Sequence, residues 1–587
     1  MKLVITEKPS VAFAIAKALN IKGKKDGYIQ GGDYIISWCI GHLVALADPT
    51  AYNESYGKWS FDDLPILPDT FKYKVYPDKQ KQFKIVKELM HRKDISEVIN
   101  ACDAGREGEL IFRLVYNQAN CKKKYKRLWI SSMEENAIRN GFDNLKDGKE
   151  YENLYNSALC RLWADWIVGI NATRLFSLLY RKTLNIGRVQ TPTLALLSDR
   201  HNAISFFKPE KYYTVNLNAD GVTATSSHIE SKEKAEEILK ACENSQAVCK
   251  SVSKTQKKQK PPKLFDLTAL QREANRLFGY TAKQTADLSQ ALYEKKLITY
   301  PRTDSRYLTA DMKDTVRDIV TVSKSVPPFD KLKTYTCNAD VVINNGKVTD
   351  HHAIIPTAEL GACELSSVPN GELNILKLII CKLLAAVAES MKYESTTALI
   401  TYGGYDFTVK GKRVITSGFK DVERLLAASS TSEDGDDTLP ELKEGQILNN
   451  AKAALSEHLT TPPTPYTEDS LLSAMENASS KETTKEAERK GLGTPATRAS
   501  IIEKIVNVGF AERKGKQIIP TKNGNLLISV LPETLISASR TAEWENALVL
   551  ISKGQAAPKE FMQGIKNEVT ELVNKYTTVA DSNIFNS

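Results

Sequence analysis

No stretch of this 587-residue chain stays free of charge long enough to cross a bilayer. The longest apolar run, near Leu376–Ala388, is broken by Lys377 and Lys382, and a span needs roughly 18 uninterrupted apolar residues. Nothing after Met1 resembles a basic region followed by an apolar export segment, so no signal peptide is expected. The 9 cysteines contain no Cys-x2-Cys pair and are odd in number, which points away from a zinc ribbon or a disulfide framework and towards a reducing cytoplasm. No Gly-x4-Gly-Lys-Ser/Thr loop is present, so no ATP site of that type is expected. Neither sign of charge dominates: 80 Lys and Arg against 71 Asp and Glu leave +9, which is compatible with an anionic partner without demanding one. With 42% hydrophobic and 26% charged residues, the composition is that of a folded, soluble protein.

The length corresponds to about four domains. Residues 2–6 read as a buried strand, and Pro9 to Leu19 has helical spacing opened by a proline. A second such unit follows: Glu97–Ala101 as strand, Asp103–Gly108 as a tight acidic turn, and Glu109–Tyr116 as the start of a helix. Two strand-to-helix turns of this kind predict a parallel α/β domain whose ligands bind at the carboxyl ends of strands. Tyr151–Ser198 reads as helical throughout, Tyr212–Ser227 as strand, and Lys254–Pro262 as a Lys/Gln/Pro linker. Leu267–Lys296 is helical, Leu297–Tyr300 a short strand, Leu373–Glu389 a long helix and Thr397–Lys410 β-rich. The acidic run Ser430–Thr438 reads as a solvated loop; after Pro465 helices return, interrupted by a hairpin at Phe510–Thr521. There is no internal repeat.

Two constellations carry chemistry. The first joins Thr6-Glu7-Lys8-Pro9-Ser10 to Ala101-Cys102-Asp103-Ala104-Gly105-Arg106-Glu107-Gly108-Glu109. Carboxylates converging at the ends of parallel strands require a hard cation, and Mg2+ suits them. The second is Leu297-Ile298-Thr299-Tyr300-Pro301-Arg302-Thr303-Asp304-Ser305. A phenol of pKa about 10 needs neighbouring cations or a base to act as a nucleophile; Arg302 stands two positions on, suited to hold a phosphate, and Pro301 stiffens the turn.

These motifs resemble the type IA DNA topoisomerases, in particular the bacterial topoisomerase III-like branch. The Glu-Lys-Pro-Ser start and the Asp-x-x-Arg-Glu-Gly-Glu turn are similar to that family's Toprim domain. Further similar segments occur in family order: Ser37–Leu43, Asn185–Pro192, the Tyr300 segment, His351–Pro356 and Gly491–Arg498. One departure is visible: Gly105 stands where the family commonly carries a further Asp, leaving Glu7, Asp103 and Glu107 as the metal ligands.

The resemblance implies a multidomain α/β and α+β toroid. Residues 1–150 would be the Toprim domain, 151–210 with 466–580 a helical DNA-binding domain, 211–264 with 396–465 a β-rich hinge, and 265–395 the domain carrying the catalytic tyrosine. It implies an ATP-independent transesterification in which Tyr300 forms a 5′-phosphotyrosine. Lys8 and Arg302 would stabilise phosphate charge, Glu7 would move a proton, His351 would lie near the scissile phosphate, and Mg2+ would sit on Glu7, Asp103 and Glu107. Single-stranded and negatively supercoiled DNA is the implied partner, with a helicase as a further one, and the enzyme would act as a monomer in a bacterial cytoplasm beside the nucleoid. Arg174, Gly187, Arg188, Val189, Gln190, Thr191, Pro192, Arg302, Thr494 and Arg498 are the expected DNA contacts, with Trp59 and Trp166 as base-stacking platforms. Thr494 also reads as an N-cap with Pro495 at the first helical position. Two other classes share part of this pattern: a Toprim nuclease or primase, which has no use for the Tyr300 segment, and a non-catalytic single-strand-binding protein.

Overall fold

The computed structural model describes residues 1–130, 133, 135–333, 335–348, 351–427, 439–478, 491–579 and 581–585; the acidic run 430–438 lies outside them. The N-terminal unit is built on a seven-stranded sheet in the order Gly23–Lys25, Tyr28–Gly31, Tyr34–Trp38, Lys2–Thr6, Glu97–Ala101, Tyr125–Arg127, Lys146–Asp147. Its central strands run parallel and are apolar on both faces, as strands covered by helices on both sides must be. Alternate residues serve opposite cores: Leu3, Ile5, Ile35 and Val98 pack on one face, Val4, Ile36 and Ile99 on the other.

Register decides what these strands present. Thr6 lies opposite Trp38 on one side and Ala101 on the other, so three strands end level and the chain leaves them at Glu7, Cys39 and Cys102 along one edge. The helix Arg106–Gln118 begins one turn beyond Asp103. Gly108 lies so close to that turn that a Cβ there would come within 2.1 Å of the Asp103 carbonyl oxygen, so only glycine permits the fold-back.

A second, antiparallel sheet has the order Ile447–Leu448, Ala247–Gln259, Met391–Tyr402, Tyr405–Thr416, Val222–Thr225, Lys211–Ala219, Lys452–Leu459. Here the structure corrects the reading of 254–262 as a linker. Ser253 to Gln259 continue a long strand, paired residue for residue with Met391–Thr397. Both faces of this ribbon meet solvent, so it lacks the apolar alternation that marks a strand, and backbone pairing alone defines it. The ribbon leaves a core of Val215, Leu217, Ala398, Ile400 and Phe407 and ends at Met391, which is packed into the core around Tyr300.

That third core draws on Leu264–Ile298, Leu308–Ile355 and the helix Asn370–Ala386, eleven of whose residues are buried. The expected strand at 297–300 is a loop in which only Ile298 forms a bridge, to Pro356. A fourth core joins the helices Glu152–Leu179 and Gln190–Ser205 to the C-terminal helices. Tyr151–Ser198 is thus not one continuous helical run: Tyr180–Val189 form a turn and loop, and Asn185 to Arg188 lie in it. Among the described residues no helix is long and apolar enough to cross a membrane.

Candidate active site

The loop holding Tyr300 is zipped to the segment 351–356. Thr299 Oγ1 donates to the Ala353 carbonyl at 3.1 Å and accepts from the Ile355 N–H at 3.0 Å, while Thr303 Oγ1 donates to the His351 carbonyl at 2.8 Å. This lays the His351 ring against the Tyr300 ring, with centroids 4.5 Å apart, and Tyr293 meets the same phenol edge-on at 5.3 Å. On the opposite side Arg127, fully buried, donates to the carbonyls of Cys102 at 2.6 Å and Asp103 at 2.5 Å, and its charge is met by Glu109 at 3.2 Å. The acidic turn is therefore held rigidly from beneath.

Lys8 is where the two units meet. Its ammonium stands 3.0 Å from Glu7 Oε1 and 3.3 Å from Asp103 Oδ2, and it donates a hydrogen bond to the Tyr300 hydroxyl. His351 Nε2 lies 3.3 Å from the same Asp103 oxygen. Burial works against charge on Lys8, yet Asp103, Tyr300 and Glu7 together hold its pKa above the usual lysine range. Burial also disfavours the Asp103 carboxylate, but Lys8 and His351 outweigh it and keep Asp103 well below the ordinary range. Glu7 moves the other way: burial and the Asp103 charge raise it. Two adjacent acids pushed apart in this manner supply one fixed anion and one group able to carry a proton. The Tyr300 phenol is pushed up to about 12 by burial, against the pull of Lys8, so at neutral pH the hydroxyl keeps its proton.

The Glu107 side chain is exposed and pairs with His42, which lowers its pKa despite the desolvation around it. The donors Glu7, Asp103 and Glu107 are all carboxylate oxygens, the set a hard cation prefers. Among the described residues no three His, Cys, Asp or Glu side chains stand together as a ready metal cage; Lys8 holds the first two acids and His42 the third. Gly105, the N-cap of helix Arg106–Gln118, is fully extended at φ −167°, a conformation open to any residue. A Gly105→Asp variant is therefore expected to fold, and to bring the Mg2+ midpoint of activity down severalfold by adding a carboxylate; a Mg2+ titration of relaxation checks this, and an unchanged midpoint in a folded variant removes position 105 from the site.

Of the expected catalytic residues, the structure brings Glu7, Lys8, Tyr300 and His351 together around the expected metal ligand Asp103, while Arg302 is exposed beside them with no ion-pair partner among the described residues. The expected DNA contacts divide. Arg174 is buried, donates to the Tyr56 carbonyl at 2.8 Å and covers the Trp59 ring, itself partly exposed. Trp166 packs against Tyr52 and Phe71. Gln190, Thr191 and Pro192 are buried in the first turn of their helix, where Thr191 Oγ1 accepts from the Gly187 N–H at 3.0 Å, and Val189 is the N-cap. Arg188 pairs with Asp165 at 2.7 Å. Thr494 caps helix Pro495–Asn507 through a reciprocal box with Thr497, and Arg498 is 1% exposed and bonded to Thr268 Oγ1 at 2.8 Å. In this arrangement Trp166, Gln190, Thr191, Pro192 and Arg498 act as packing and capping groups rather than as an open face.

Sequence reasoning assigned no role to His42, Tyr293 or Arg127. His42 lies within the Ser37–Leu43 segment, so a signal existed; the other two are recognisable only once the strands and loops are in place.

A family model described as DNA topoisomerase matches residues 149–563, and one described as Toprim domain matches residues 2–133. DNA topoisomerase 3 of Bacillus subtilis is 41% identical over 99% of this chain and 83% of that protein. DNA topoisomerase 3 of Staphylococcus saprophyticus is 40% identical over 98% of this chain and 82% of that protein. Full-length topoisomerase I from Thermotoga maritima has the same fold, with a TM-score of 0.73 at 24% identity, covering 98% of this chain and 91% of that one. These findings support the topoisomerase reading and not the nuclease, primase or passive-binding alternatives, and the multidomain architecture around an N-terminal Toprim domain is the one expected. The chain belongs to the type IA DNA topoisomerases.

Proposed function

We propose that the enzyme cuts one DNA strand with Tyr300, lets another strand pass, and reseals the cut, relaxing negatively supercoiled DNA and decatenating linked molecules without ATP. The observation that carries this reading is the Lys8–Tyr300 contact, flanked by Glu7, Asp103 and His351. Tyr300 Oη bonds to the phosphorus as the bond to the 3′-oxygen breaks. Glu7, with its raised pKa, gives its proton to the departing 3′-oxygen and recovers one from the phenol. The Lys8 ammonium already touches Oη and is suited to stabilise the phenolate as it forms and the charge on the phosphate oxygens. Exposed Arg302 adds a second cation on the solvent side, and His351, anchored by Asp103, lines the phosphate position. In the reverse direction the 3′-hydroxyl attacks the phosphotyrosine, so the phosphodiester is restored with no external energy.

Glu7, Asp103 and Glu107 would hold Mg2+, which when bound neutralises the acids and the incoming phosphate and so favours resealing. In this reading residues 1–150 supply the acids and 265–395 the nucleophile. Residues 151–210 with 466–580 bind DNA, and the ribbon within 211–264 and 396–465 is the hinge. Trp59, exposed over Arg174, and the helix start at Thr494 are the contacts open to single-stranded DNA in this reading, and Arg188 joins them once its acidic partners give way. The enzyme would work as a monomer in the bacterial cytoplasm at the nucleoid, with a helicase supplying single strands.

The testing experiment incubates the protein with negatively supercoiled plasmid and with nicked catenanes, with Mg2+ or with EDTA. A ladder of topoisomers with Mg2+ is expected. With EDTA, relaxation falls to background while some protein-linked cleaved oligonucleotide persists. Full-rate relaxation in EDTA overturns the metal assignment, and no topoisomers under either condition overturns the strand-passage reading.

A further inference from the structure

Away from Tyr300, four elements converge on one carboxylate. Glu545, on helix Ala538–Ser552, accepts from Arg106 Nη2 at 2.9 Å, stands 3.5 Å from Arg188 Nη1 and lies 3.8 Å from Arg161 Nε. Asp165 takes the other side of Arg188 at 2.7 Å and is 3.9 Å from Arg161. Three guanidinium groups thus face two carboxylates, and all three are largely buried. Arg188 is fixed: Thr541 Oγ1 donates to its carbonyl at 3.1 Å, and its guanidinium lies over the Trp544 ring at 5.2 Å.

Against the burial that raises it, Arg161, Arg106 and Arg188 pull the Glu545 pKa down to about 2, so the carboxylate is held as an anion, though by uneven contacts. Only the Arg106 contact is short, and among the described residues Arg188 Nη1 is buried without a hydrogen-bond partner although it points at Glu545. A buried guanidinium N–H left unmatched is costly, and the planar fork suits a phosphate as well as a carboxylate. Beside Glu545, Arg161 and Arg188 line a cavity with Gly491, Gly493 and Thr494, at the start of helix Pro495–Asn507. A helix N-terminus favours anions. The cavity measures only about 10 Å³, room for roughly one water molecule and not for a phosphate while Glu545 stays in place.

We propose that Arg106, Arg161 and Arg188 form a binding site for one backbone phosphate of single-stranded DNA, and that Glu545 occupies it in the free enzyme as an internal phosphate mimic that DNA displaces. This rests on the single-strand-cleaving function proposed above. Because Arg106 adjoins Glu107, the site lies one residue along the chain from the acidic crevice, and a phosphate held there sets where the strand enters it.

The test measures binding of a fluorescein-labelled oligothymidylate to the full chain by anisotropy at fixed salt. Glu545→Gln keeps the shape and removes the competing charge, so it is expected to bind about fivefold tighter, and Arg161→Gln about fivefold weaker, each the size of one charge-assisted contact. A purely structural role for Glu545 predicts equal or weaker binding on its loss, so unchanged or weakened binding by folded Glu545→Gln overturns the proposal. If Glu545→Gln does not fold, Arg161→Gln decides, since among the described residues Arg161 makes only two long ion pairs and otherwise acts on Glu107 through space: weaker binding supports the site, and unchanged binding overturns it. Wild-type protein that fails to bind the oligonucleotide at all refutes the single-strand reading itself, an outcome distinct from these.

Discussion

Tyr300→Phe protein is expected to form no covalent DNA adduct and to relax DNA at least about a thousandfold more slowly, because the only atom removed is the proposed nucleophile. The fold tolerates the change. The ring keeps its contacts with His351 and Tyr293, and Lys8 keeps Glu7 and Asp103, so thermal stability is expected to stay within about 1 kcal/mol of the parent. Binding to single-stranded oligonucleotide should be nearly unchanged, since the phenol oxygen is one atom of a large DNA contact surface and its hydrogen bond in the free enzyme goes to Lys8. Adduct assays on denaturing gels together with anisotropy separate these effects; a Tyr300→Phe protein that still cleaves would transfer the chemistry to another residue.

Lys8→Ala has the next largest consequence. The ammonium is the shared partner of Glu7, Asp103 and the Tyr300 hydroxyl, so its removal would take away the charge proposed to stabilise the transition state and leave two neighbouring carboxylates without the lysine between them. Loss of a preorganised cationic donor of this kind costs about 10²–10³ in the cleavage rate. The pKa of Asp103 should rise as the Lys8 attraction that holds it down most strongly disappears, leaving His351 and the Glu7 hydrogen bond on that carboxylate. Single-turnover cleavage of an oligonucleotide measures the rate, and DNA binding serves as the control. Cleavage within a few-fold of wild type would show that Lys8 is only a structural counter-ion. Lys8→Arg should recover little, because a planar fork cannot reach three partners that converge on one nitrogen.

Several of these features were legible before any coordinates. Lys2–Thr6 and Glu97–Ala101 are short apolar runs ended by acidic residues, and such runs announce both a buried parallel strand and the edge where its ligands bind. The convergence of Glu7 and Asp103 followed from that edge, and the register Thr6 to Ala101 delivers it. Pro495 after Thr494 marked a helix start by local chemistry alone, and the capping box is there.

What was not legible depends on partners distant in sequence. The ribbon 253–259 is polar on both faces and is held by residues 391–397, so no local pattern distinguishes it from a linker. Arg498 looks like a phosphate ligand in its motif, yet Thr268, 230 positions away, takes its guanidinium. Glu545 carries no motif signal that separates it from any other helical glutamate; only the meeting of Arg106, Arg161 and Arg188 around it gives it meaning. His42 and Glu107 were each visible in their own segments, but not as a pair.

The account stands most directly on which atom carries the DNA. Wild-type protein is incubated with a single-stranded oligonucleotide labelled at its 3′ end, quenched with detergent, digested, and the nucleotide-bearing peptide sequenced by mass spectrometry. The label should remain on the protein, on the peptide containing Tyr300, because a 5′-phosphotyrosine retains the downstream fragment. Label retained only when placed at the 5′ end, or found on any residue other than Tyr300, would contradict it.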